Sequence, residues 1–374
     1  MGVLSGVRIV EFEGLGPGPF CGMLLADLGA DVILIERKGG ADAGRPAIYK
    51  RGKRSIALDL KNERARAIAL DIIAASDALI EGLRPGVMER LGLGPEAAHA
   101  RNKKLVYGRL TGWGQTGPLA AAAGHDLNYT SLSGAAWYSG ASGDAPVPPP
   151  TLVGDVGGGA LYLAVGILAG IMRARETGRG AVVDAAIVDG SAHMMNLLYS
   201  VRAVGMMDDA RGNSMLDGAH FYSVYECADG GWISIGPLEP KFYTELLERL
   251  GVAGDAAFAA QYDRSQWPAL KERFAALFRT RTRADWAALL EGTDVCFAPV
   301  LAPGEAAQHH HMRARNVLRT VGGVLQAAAA PRFDGDQPTD PGPIPAAGQH
   351  TEEILAELGV DDRVIADWRA SEAI

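Results

Sequence analysis

Residues 7–36 decide the fold, and they read VRIVEF (7–12), EGLGPGP (13–19), FCGMLLADLG (20–29) and ADVILIE (30–36). The first and last segments are apolar runs that predict β-strands, and the segment at 20–29 predicts a helix that ends at a glycine. A strand, a helix and a second strand in this order form a βαβ unit with parallel strands. We therefore expect an α/β fold built on a parallel sheet.

The same pattern continues through the first half of the chain. Helices are predicted at 62–76, at 87–92 and from Asp155 to Gly178, and strands at 77–81, 104–110 and 181–188. We expect a large, doubly wound, Rossmann-like α/β domain over residues 1–190 that residues 330–374 complete.

The pattern changes character after residue 190. Residues 191–219 predict a linker helix, and FYSVYECADGGWISIG (221–236) predicts two antiparallel strands joined at a tight DGG turn, with a helix from Lys241 behind them. We expect a smaller α+β domain at 220–325. Residues 326–374 then form a return linker rich in turn-forming residues and a C-terminal helix that joins the large domain, with Thr351 as its N-cap.

Composition excludes several classes of protein. The 374 residues carry a net charge of -8, which argues against nucleic-acid binding. The three cysteines have no C-x-x-C spacing, and the first residues lack the features of a signal peptide, so we expect a cytoplasmic protein without a cysteine zinc site. The longest apolar run, 156–172, contains five glycines and is interpreted as a buried helix rather than a membrane insertion.

A dinucleotide site is the first alternative that a βαβ opening raises. Glu36 ends the second strand, where an acid that binds ribose would stand. However, Pro19 and Cys21 occupy the places of a third glycine, and Pro17 and Pro19 remove two backbone N–H donors from the loop. The loop therefore disfavours a nicotinamide cofactor.

A ligand rich in phosphate is suggested by residues 37–66. This segment holds ten basic residues against three acidic ones, inside an acidic protein. Such a cluster can bind phosphates through charge-assisted hydrogen bonds, but a solvated helix face with a basic loop would give the same pattern. The basic residues are Arg37, Lys38, Arg45, Lys50, Arg51, Lys53, Arg54, Lys61, Arg64 and Arg66.

Two segments carry candidate catalytic groups. In GHDLNY (124–129), His125 is the better candidate base, because an imidazole can take and return a proton near neutral pH; a structural histidine is the alternative. In VGDVGGG (153–159), Asp155 is either a helix cap or a functional acid. The glycines after Asp155 leave room for a ligand and supply backbone N–H groups at a helix start, which suits a developing oxyanion.

Three consecutive histidines, His309, His310 and His311, are less informative. On a helix they would face three directions and could not chelate one metal from a single face. We interpret them as surface residues.

Taken together, the motifs resemble the family III CoA-transferases (CaiB/BaiF), and within them the alpha-methylacyl-CoA racemases. The resemblance runs nearly end to end, and GHDLNY favours the racemases because the transferases do not typically carry this histidine. The motifs are LSGVRIVEF (4–12), LLADLGADVILIER (24–37), KRGKRSIALDLK (50–61), LRPGVMERLGL (83–93), YGRLTGWGQTGP (107–118), GHDLNY, VGDVGGG, GRGAVVDAAIVDGS (178–191) and GQHTEEIL (348–355).

This resemblance implies an acyl-coenzyme A substrate. It implies that His125 and Asp155 are the two acid/base residues and that Glu239, in GPLEPKFY (236–243), supports the histidine. No other cofactor and no metal is implied, since coenzyme A is part of the substrate. Contacts to coenzyme A are implied for Arg37, Leu58, Lys61, Leu83, Arg84, Arg90, Gly124, Asp126, Asn128 and Tyr129.

The expected reaction is epimerisation of 2-methylacyl-CoA thioesters through an enolate. The family fold also implies an interlocked homodimer in which the small domain of one chain closes the site of the other. A CoA transferase with Asp155 as nucleophile is the main alternative; an NAD-dependent dehydrogenase and a non-catalytic acyl-CoA binder are remote ones. The proline-rich loop 13–19 and Gly82, where many relatives have asparagine, depart from the family pattern.

Overall fold

A computed structural model describes residues 2–38, 47–335 and 341–370. The chain divides into two compact units. The first comprises residues 1–135, 149–194 and 311–374, and the second comprises residues 136–148 and 195–310. Arg45, one of the basic residues considered above, lies outside the described residues.

A six-stranded sheet forms the centre of the first unit. Its strands follow the order β3-β2-β1-β4-β5-β6, and every neighbouring pair is parallel. This is a doubly wound order: successive strands are added to one side of β1 up to β3, and from β4 onward they are added to its other side. The strands are β1 (Arg8–Phe12), β2 (Asp31–Arg37), β3 (Arg54–Leu58), β4 (Ala78–Glu81), β5 (Val106–Thr111) and β6 (Ala181–Ala186).

Helices cover both faces of this sheet and bury two separate cores. The helices that begin in this unit are α1 (Pro17–Asp27), α2 (Glu63–Ala74), α3 (Val87–Arg90), α4 (Pro95–Arg101), α5 (Asp126–Leu132), α6 (Leu161–Thr177), α7 (Ile187–Met194), α14 (Thr351–Glu357) and α15 (Asp362–Ala370). One core includes buried residues of α2, α4 and α14, and the other includes buried residues of α1 and α6. Both faces are therefore covered, as an all-parallel sheet requires.

The helix expected from Asp155 differs from the structure. A π-helical segment, Leu152–Ala160, precedes α6 and continues directly into it. The combined segment Leu152–Thr177 is long and apolar enough to span a membrane by length and composition alone. Leu163, Ile167 and Ile171 of α6 are buried against the sheet, which makes α6 a core helix of this unit.

The second unit is a small α+β arrangement. β7 (Ser223–Glu226), β8 (Trp232–Ile235) and β9 (Phe297–Val300) form an antiparallel sheet, in the order β7-β8-β9. Its helices are α8 (Asn196–Ala203), α9 (Pro240–Leu250), α10 (Trp267–Phe278), α11 (Arg283–Leu290) and α12 (Pro303–Ala306), and α13 (His310–Ala314) begins at its last residue. The predicted strand pair with its DGG turn matches β7 and β8, whereas β9 was not predicted.

Several expected boundaries differ from the structure. The single linker helix at 191–219 is replaced by α7 and α8, which are separate helices. The hairpin of β10 (Leu318–Val321) and β11 (Val324–Ala327) belongs to the first unit rather than to the small domain, and residues 136–148 belong to the second. Thr351 is the first residue of α14, not its N-cap, and its hydroxyl donates to the carbonyl of Gly348.

A buried ion pair lies beneath α1. The Lys53 ammonium donates to both carboxylate oxygens of Glu11, at 2.8 and 2.6 Å, and to the carbonyl of Pro19 at 3.0 Å. Burial raises the pKa of Glu11 to about 7 in spite of the opposing effect of Lys53. The ionised form of Glu11 is therefore stabilised inside the protein chiefly by its pairing with Lys53.

Replacing Lys53 with methionine is expected to destabilise the protein by about 3–5 kcal/mol, because it leaves the Glu11 carboxylate buried without its counter-charge. Urea unfolding at neutral pH measures this change. Lys61→Met, at an exposed position, should alter stability far less. A double variant that also replaces Glu11 with leucine should regain much of the loss; equal destabilisation by the single and double variants would contradict the charge argument.

Candidate functional site

A cavity in the first unit lies at the carboxyl ends of its strands. It has a volume of about 520 Å³ and is lined by the loops that follow β1, β4, β5 and β6. The reversal of strand order between β1 and β4 opens a crevice there, which is where doubly wound folds bind ligands. Its lining includes Phe12, Gly16, Leu83, Arg84, Trp113, Gly124, His125, Tyr129, Asp155 and Ile187.

His125 stands at the start of α5 and faces this cavity. It is the N-cap residue, and its backbone N–H donates to the side-chain oxygen of Asn128 at 3.0 Å. The side chain is exposed, so its imidazole is accessible from solvent. The backbone is thus fixed by Asn128 while the imidazole stays available to a ligand.

Asp155 lines the same cavity from the π-helical segment. Burial and then the nearby Asp126 carboxylate raise the pKa of its carboxyl to about 6, against the opposing effect of His125. His125 and Asp155 thus line one cavity. These are the two residues that the sequence analysis predicted as acid and base.

Asp126 holds the Asp155 segment in place. Its buried carboxylate accepts from the backbone N–H of Asp155 at 2.9 Å and from that of Thr151 at 3.3 Å. A side chain at Gly154 would begin 2.4 Å from this carboxylate, so the glycine is required for the close approach. The two adjacent residues of GHDLNY therefore have different tasks. His125 faces the cavity, whereas Asp126 holds the segment that carries Asp155. A contact from Asp126 to coenzyme A stays a prediction.

The expected oxyanion site at Asp155–Gly159 is wrong. The Asp155 N–H donates to Asp126 and the Val156 N–H donates to the carbonyl of Thr151 at 3.0 Å. The amides of the three glycines lie inside the π-helical segment, where each N–H bonds five residues back. These donors are used within the fold because the helix begins at Leu152 rather than at Asp155.

A groove adjoins the cavity on the side of β2 and β3. Its volume is about 260 Å³, and Phe12 and Leu83 line both the groove and the cavity. Of the predicted coenzyme A contacts, Arg37, Leu58, Lys61 and Leu83 line the groove, whereas Leu83, Arg84, Gly124 and Tyr129 line the cavity. Arg90, Asp126 and Asn128 line neither.

Comparison with known proteins gives the family. The family model described as CoA-transferase family III matches residues 4–351. The chain belongs to CoA-transferase family III. It is 41% identical to the alpha-methylacyl-CoA racemase of Mus musculus over 366 residues, which cover 97% of this chain and 95% of that protein.

Other relatives agree with this assignment. The chain is 40% identical to the alpha-methylacyl-CoA racemase of Homo sapiens over 368 residues, or 95% of this chain and 93% of that protein. A crystal structure of a CAIB/BAIF family protein from Brucella suis matches with a TM-score of 0.80 and 26% identity, covering 96% of this chain and 99% of that chain. The predicted membership of the family and its α/β fold class are confirmed.

The basic segment of this family III member is less available to a ligand than its charge suggests. Lys50 pairs with Glu36 at 2.5 Å, Lys53 pairs with Glu11, and both lysines are buried. Arg51, also buried, pairs with Asp27, and Arg54 forms ion pairs with Asp31, Glu353 and Glu357. Four of the ten basic residues thus stabilise the fold, which a count of charges could not reveal. Arg37 and Lys61 remain at the groove.

The Glu36 carboxylate likewise interacts with other side chains of this family III fold. It is buried, bonds Lys50, and accepts from the Ser55 hydroxyl. A carboxylate that binds ribose must instead face the ligand. The structure therefore adds to the sequence argument against a dinucleotide site.

Glu239 belongs to the second unit. It is exposed at the N-cap of α9, directly before Pro240 at the first helical position. It influences Cys296, since burial and then the Glu239 carboxylate raise the pKa of that thiol. The support that Glu239 is expected to give His125 stays a prediction.

Proposed function

We propose that this protein epimerises 2-methylacyl-CoA thioesters at the carbon next to the carbonyl, with His125 and Asp155 as the two acid/base residues. The observation that carries the proposal is that both side chains line one cavity. The similarity to alpha-methylacyl-CoA racemases supports the choice of substrate class.

In the proposed reaction, one base removes the α-proton and the other returns a proton to the opposite face. When the Asp155 carboxylate is the base, it takes the proton, the electron pair of the C–H bond passes into an enolate, and protonated His125 supplies a proton to the planar carbon. In the reverse direction neutral His125 takes the proton and protonated Asp155 supplies one. A pKa of about 6 suits Asp155 to both tasks, because near neutral pH its carboxylate can accept a proton and its carboxylic acid can release one.

The enolate oxygen needs hydrogen-bond donors near both bases. We place it at the backbone N–H groups of Asp126 and Leu127, the first two residues of α5, which have no acceptor within their own helix. Helix starts favour negative charge, and a fixed donor need not reorganise as charge develops. This replaces the donors at Asp155–Gly159, which the fold itself uses.

Exchange in deuterated water tests the proposal. The purified enzyme is incubated with the (R)- or the (S)-epimer of a 2-methylacyl-CoA, without an acceptor acid, and α-deuterium and configuration are followed together. Incorporation with convergence on both epimers supports epimerisation. Absence of exchange would overturn it, whether or not the ligand binds.

A family III CoA transferase is the second candidate, favoured by the family to which the chain belongs. In that reaction the Asp155 carboxylate would attack the thioester carbonyl, displace the coenzyme A thiolate and form a mixed anhydride; the thiolate would then attack the Asp155 carbonyl and release the donor acid. The acceptor carboxylate would attack the resulting Asp155 thioester and displace the thiolate, which would attack the acceptor carbonyl of the second anhydride, giving the new acyl-CoA and freeing Asp155. Transfer of coenzyme A to an added carboxylate, without α-exchange, would identify this activity. A dehydrogenase would instead require a nicotinamide cofactor.

The pH dependence should report Asp155. In the direction in which Asp155 removes the proton, it must be ionised, so kcat/KM is expected to fall as the pH drops below about 6. Asp126→Asn removes a negative charge that helps to raise this pKa, and should move the acid limb to lower pH. Asp71→Asn, an exposed control, should leave the limb in place. An unchanged or higher limb in Asp126→Asn would contradict the assignment.

We place the coenzyme A part of the substrate in the groove and its thioester in the cavity. Phe12 and Leu83 line both spaces, so one ligand can pass from the groove to the two bases. Arg37 and Lys61 offer positive charge along the groove, where phosphates would bind. The cytoplasm remains the proposed location.

The active form is proposed to be a homodimer in which Glu239 of one chain orients His125 of the other. α6 leaves an apolar face exposed in the single chain, including Leu161, Val165 and Met172, and such a face is typical of a subunit interface. A carboxylate that accepts from one ring nitrogen would fix the tautomer of the imidazole.

Mixed dimers test this arrangement. Glu239→Gln alone should lower turnover while leaving substrate affinity nearly intact. Combining chains that carry His125→Ala with chains that carry Glu239→Gln should restore about half of the wild-type activity per mixed dimer, since one site then has both residues intact. Residual activity no greater than that of Glu239→Gln would contradict the shared site.

A further inference from the structure

Three metal-ligating side chains meet in the second unit, and none of them has a role in the site described above. Glu291 follows the last residue of α11, His309 lies in the turn before α13, and His310 is the first residue of α13. One ligand atom from each of the three lies within 4.8 Å of the others. The sequence interpretation of this histidine run as surface residues is therefore wrong for His309, which precedes the helix and is mostly buried, with 19% of its side chain exposed.

The geometry differs from that of a simple ion pair. His309 Nε2 lies 2.8 Å from Glu291 Oε1, and His310 Nε2 lies 3.8 Å from the same oxygen. Nevertheless, the buried Nε2 of His309 has no partner in hydrogen-bonding geometry among the residues that the structure describes. The two imidazole rings lie side by side, with centroids 4.5 Å apart and planes inclined at 35°. His309 Nε2 thus lies close to the carboxylate without forming a hydrogen bond, and His310 Nε2 lies near the same oxygen but beyond hydrogen-bond distance.

We propose that Glu291, His309 and His310 form a binding site for a divalent transition metal of the Zn²⁺ class. Two imidazoles and one carboxylate are ligands that Zn²⁺ and its first-row neighbours prefer, whereas Mg²⁺ and Ca²⁺ favour oxygen donors. Tetrahedral ligands at Zn–N and Zn–O distances of about 2.0–2.1 Å are separated by roughly 3.3 Å. The observed separations of 2.8 and 3.8 Å lie on either side of that value, so small side-chain adjustments suffice. Water fills the remaining coordination positions.

The site links segments that are already tied together at their other end. Arg283, the first residue of α11, forms an ion pair with Glu305 of α12. A metal held by Glu291 and the two histidines joins the end of α11 to the turn between α12 and α13. The metal therefore has a structural role, fixing a helix pair at both ends, and none of its ligands takes part in the proposed reaction.

Binding must depend on pH. Each histidine has to be neutral to donate its lone pair, so protons compete with the metal and affinity decreases in acid. A dependence on the two imidazoles also separates this site from non-specific carboxylate binding, which persists at lower pH.

Titration with Co²⁺ as the probe tests the site in the full chain after treatment with a chelator. Its d–d absorption reports coordination, and Zn²⁺ is added afterwards to displace it. We expect one Co²⁺ per chain. Glu291→Gln and His309→Gln should weaken binding more than about 100-fold, because loss of even an outer-shell partner costs about 10- to 100-fold. His311→Gln is the matched control and should bind as the wild type does.

Thermal unfolding gives a second measurement. Zn²⁺ should raise the unfolding temperature of the wild type and of His311→Gln but not that of Glu291→Gln, and circular dichroism without metal checks that each variant folds. Wild-type protein that fails to bind Co²⁺ stoichiometrically overturns the proposal. Equal loss in His311→Gln and His309→Gln also overturns it, since binding would then belong to the histidine run and not to the three-residue site.

Discussion

Replacing His125 with alanine is expected to lower epimerisation of a 2-methylacyl-CoA at least about 1000-fold, because one positioned acid or base typically contributes about 10²- to 10⁴-fold. Exchange should nevertheless survive for one epimer. The Asp155 carboxylate can still remove the α-proton that faces it and return deuterium from solvent to the same face. The substrate then gains deuterium without inverting its configuration.

The measurement separates exchange from inversion. Each epimer of the thioester is incubated with His125→Ala in deuterated water, and α-deuterium and configuration are read from the same sample. Substrate affinity serves as the control, since His125 does not line the groove that is proposed to bind coenzyme A. Undiminished inversion would exclude His125 as one of the two bases, and the alternative of a structural histidine would then stand.

Replacing Asp155 with asparagine is expected to give the mirror image of this result. Epimerisation should again decrease at least about 1000-fold, since the amide can neither take nor return the proton. Neutral His125 remains on its own face and should exchange the α-proton of the opposite epimer without inversion. The two variants together would assign each residue to one face of the substrate.

The Asp155 variant also discriminates between the two family III activities. For a transferase, Asp155→Asn would remove the nucleophile and abolish transfer, while His125→Ala would have little effect. Thermal unfolding should show that the asparagine variant folds, because the Asp155 side chain lies beside the Asp126 carboxylate and losing one of two like charges relieves repulsion. Exchange of the same epimer by both variants would contradict the two-base arrangement.

The sequence analysis predicted those helices and strands whose apolar residues recur with a clear period. The segment that became β1, α1 and β2 alternates between apolar runs and a glycine- and proline-rich loop, and this pattern has one interpretation. β3 was missed because its five residues stand among basic residues that drew attention to charge instead. The π-helical segment was also missed, because the residue pattern predicts a helix here but does not distinguish a π-helical turn from an α-helical one.

The site was predicted more completely than its surroundings. His125 and Asp155 were identified by residue type and resemblance, and both line the cavity. The task of Asp126 was not foreseen, because a carboxylate that accepts backbone N–H groups looks the same in sequence as one that binds a ligand. Lys50 and Lys53 were counted with the ligand-binding charges, since composition does not show that Glu36 and Glu11 neutralise them. His309 was misjudged because a turn, and not a helix, carries it.

Phe12 and Leu83 line both the groove and the cavity, and under the proposed function this shared lining limits which thioesters can react. In the proposed binding mode, a coenzyme A moiety held along the groove would place its sulfur at a fixed distance beyond these two residues, so the two proposed bases would reach only a carbon at a fixed distance from the sulfur. A thioester branched at the second carbon would then react, whereas one branched a carbon further along would not. Selectivity would depend on the position of the branch relative to the sulfur and not on the far end of the acyl chain.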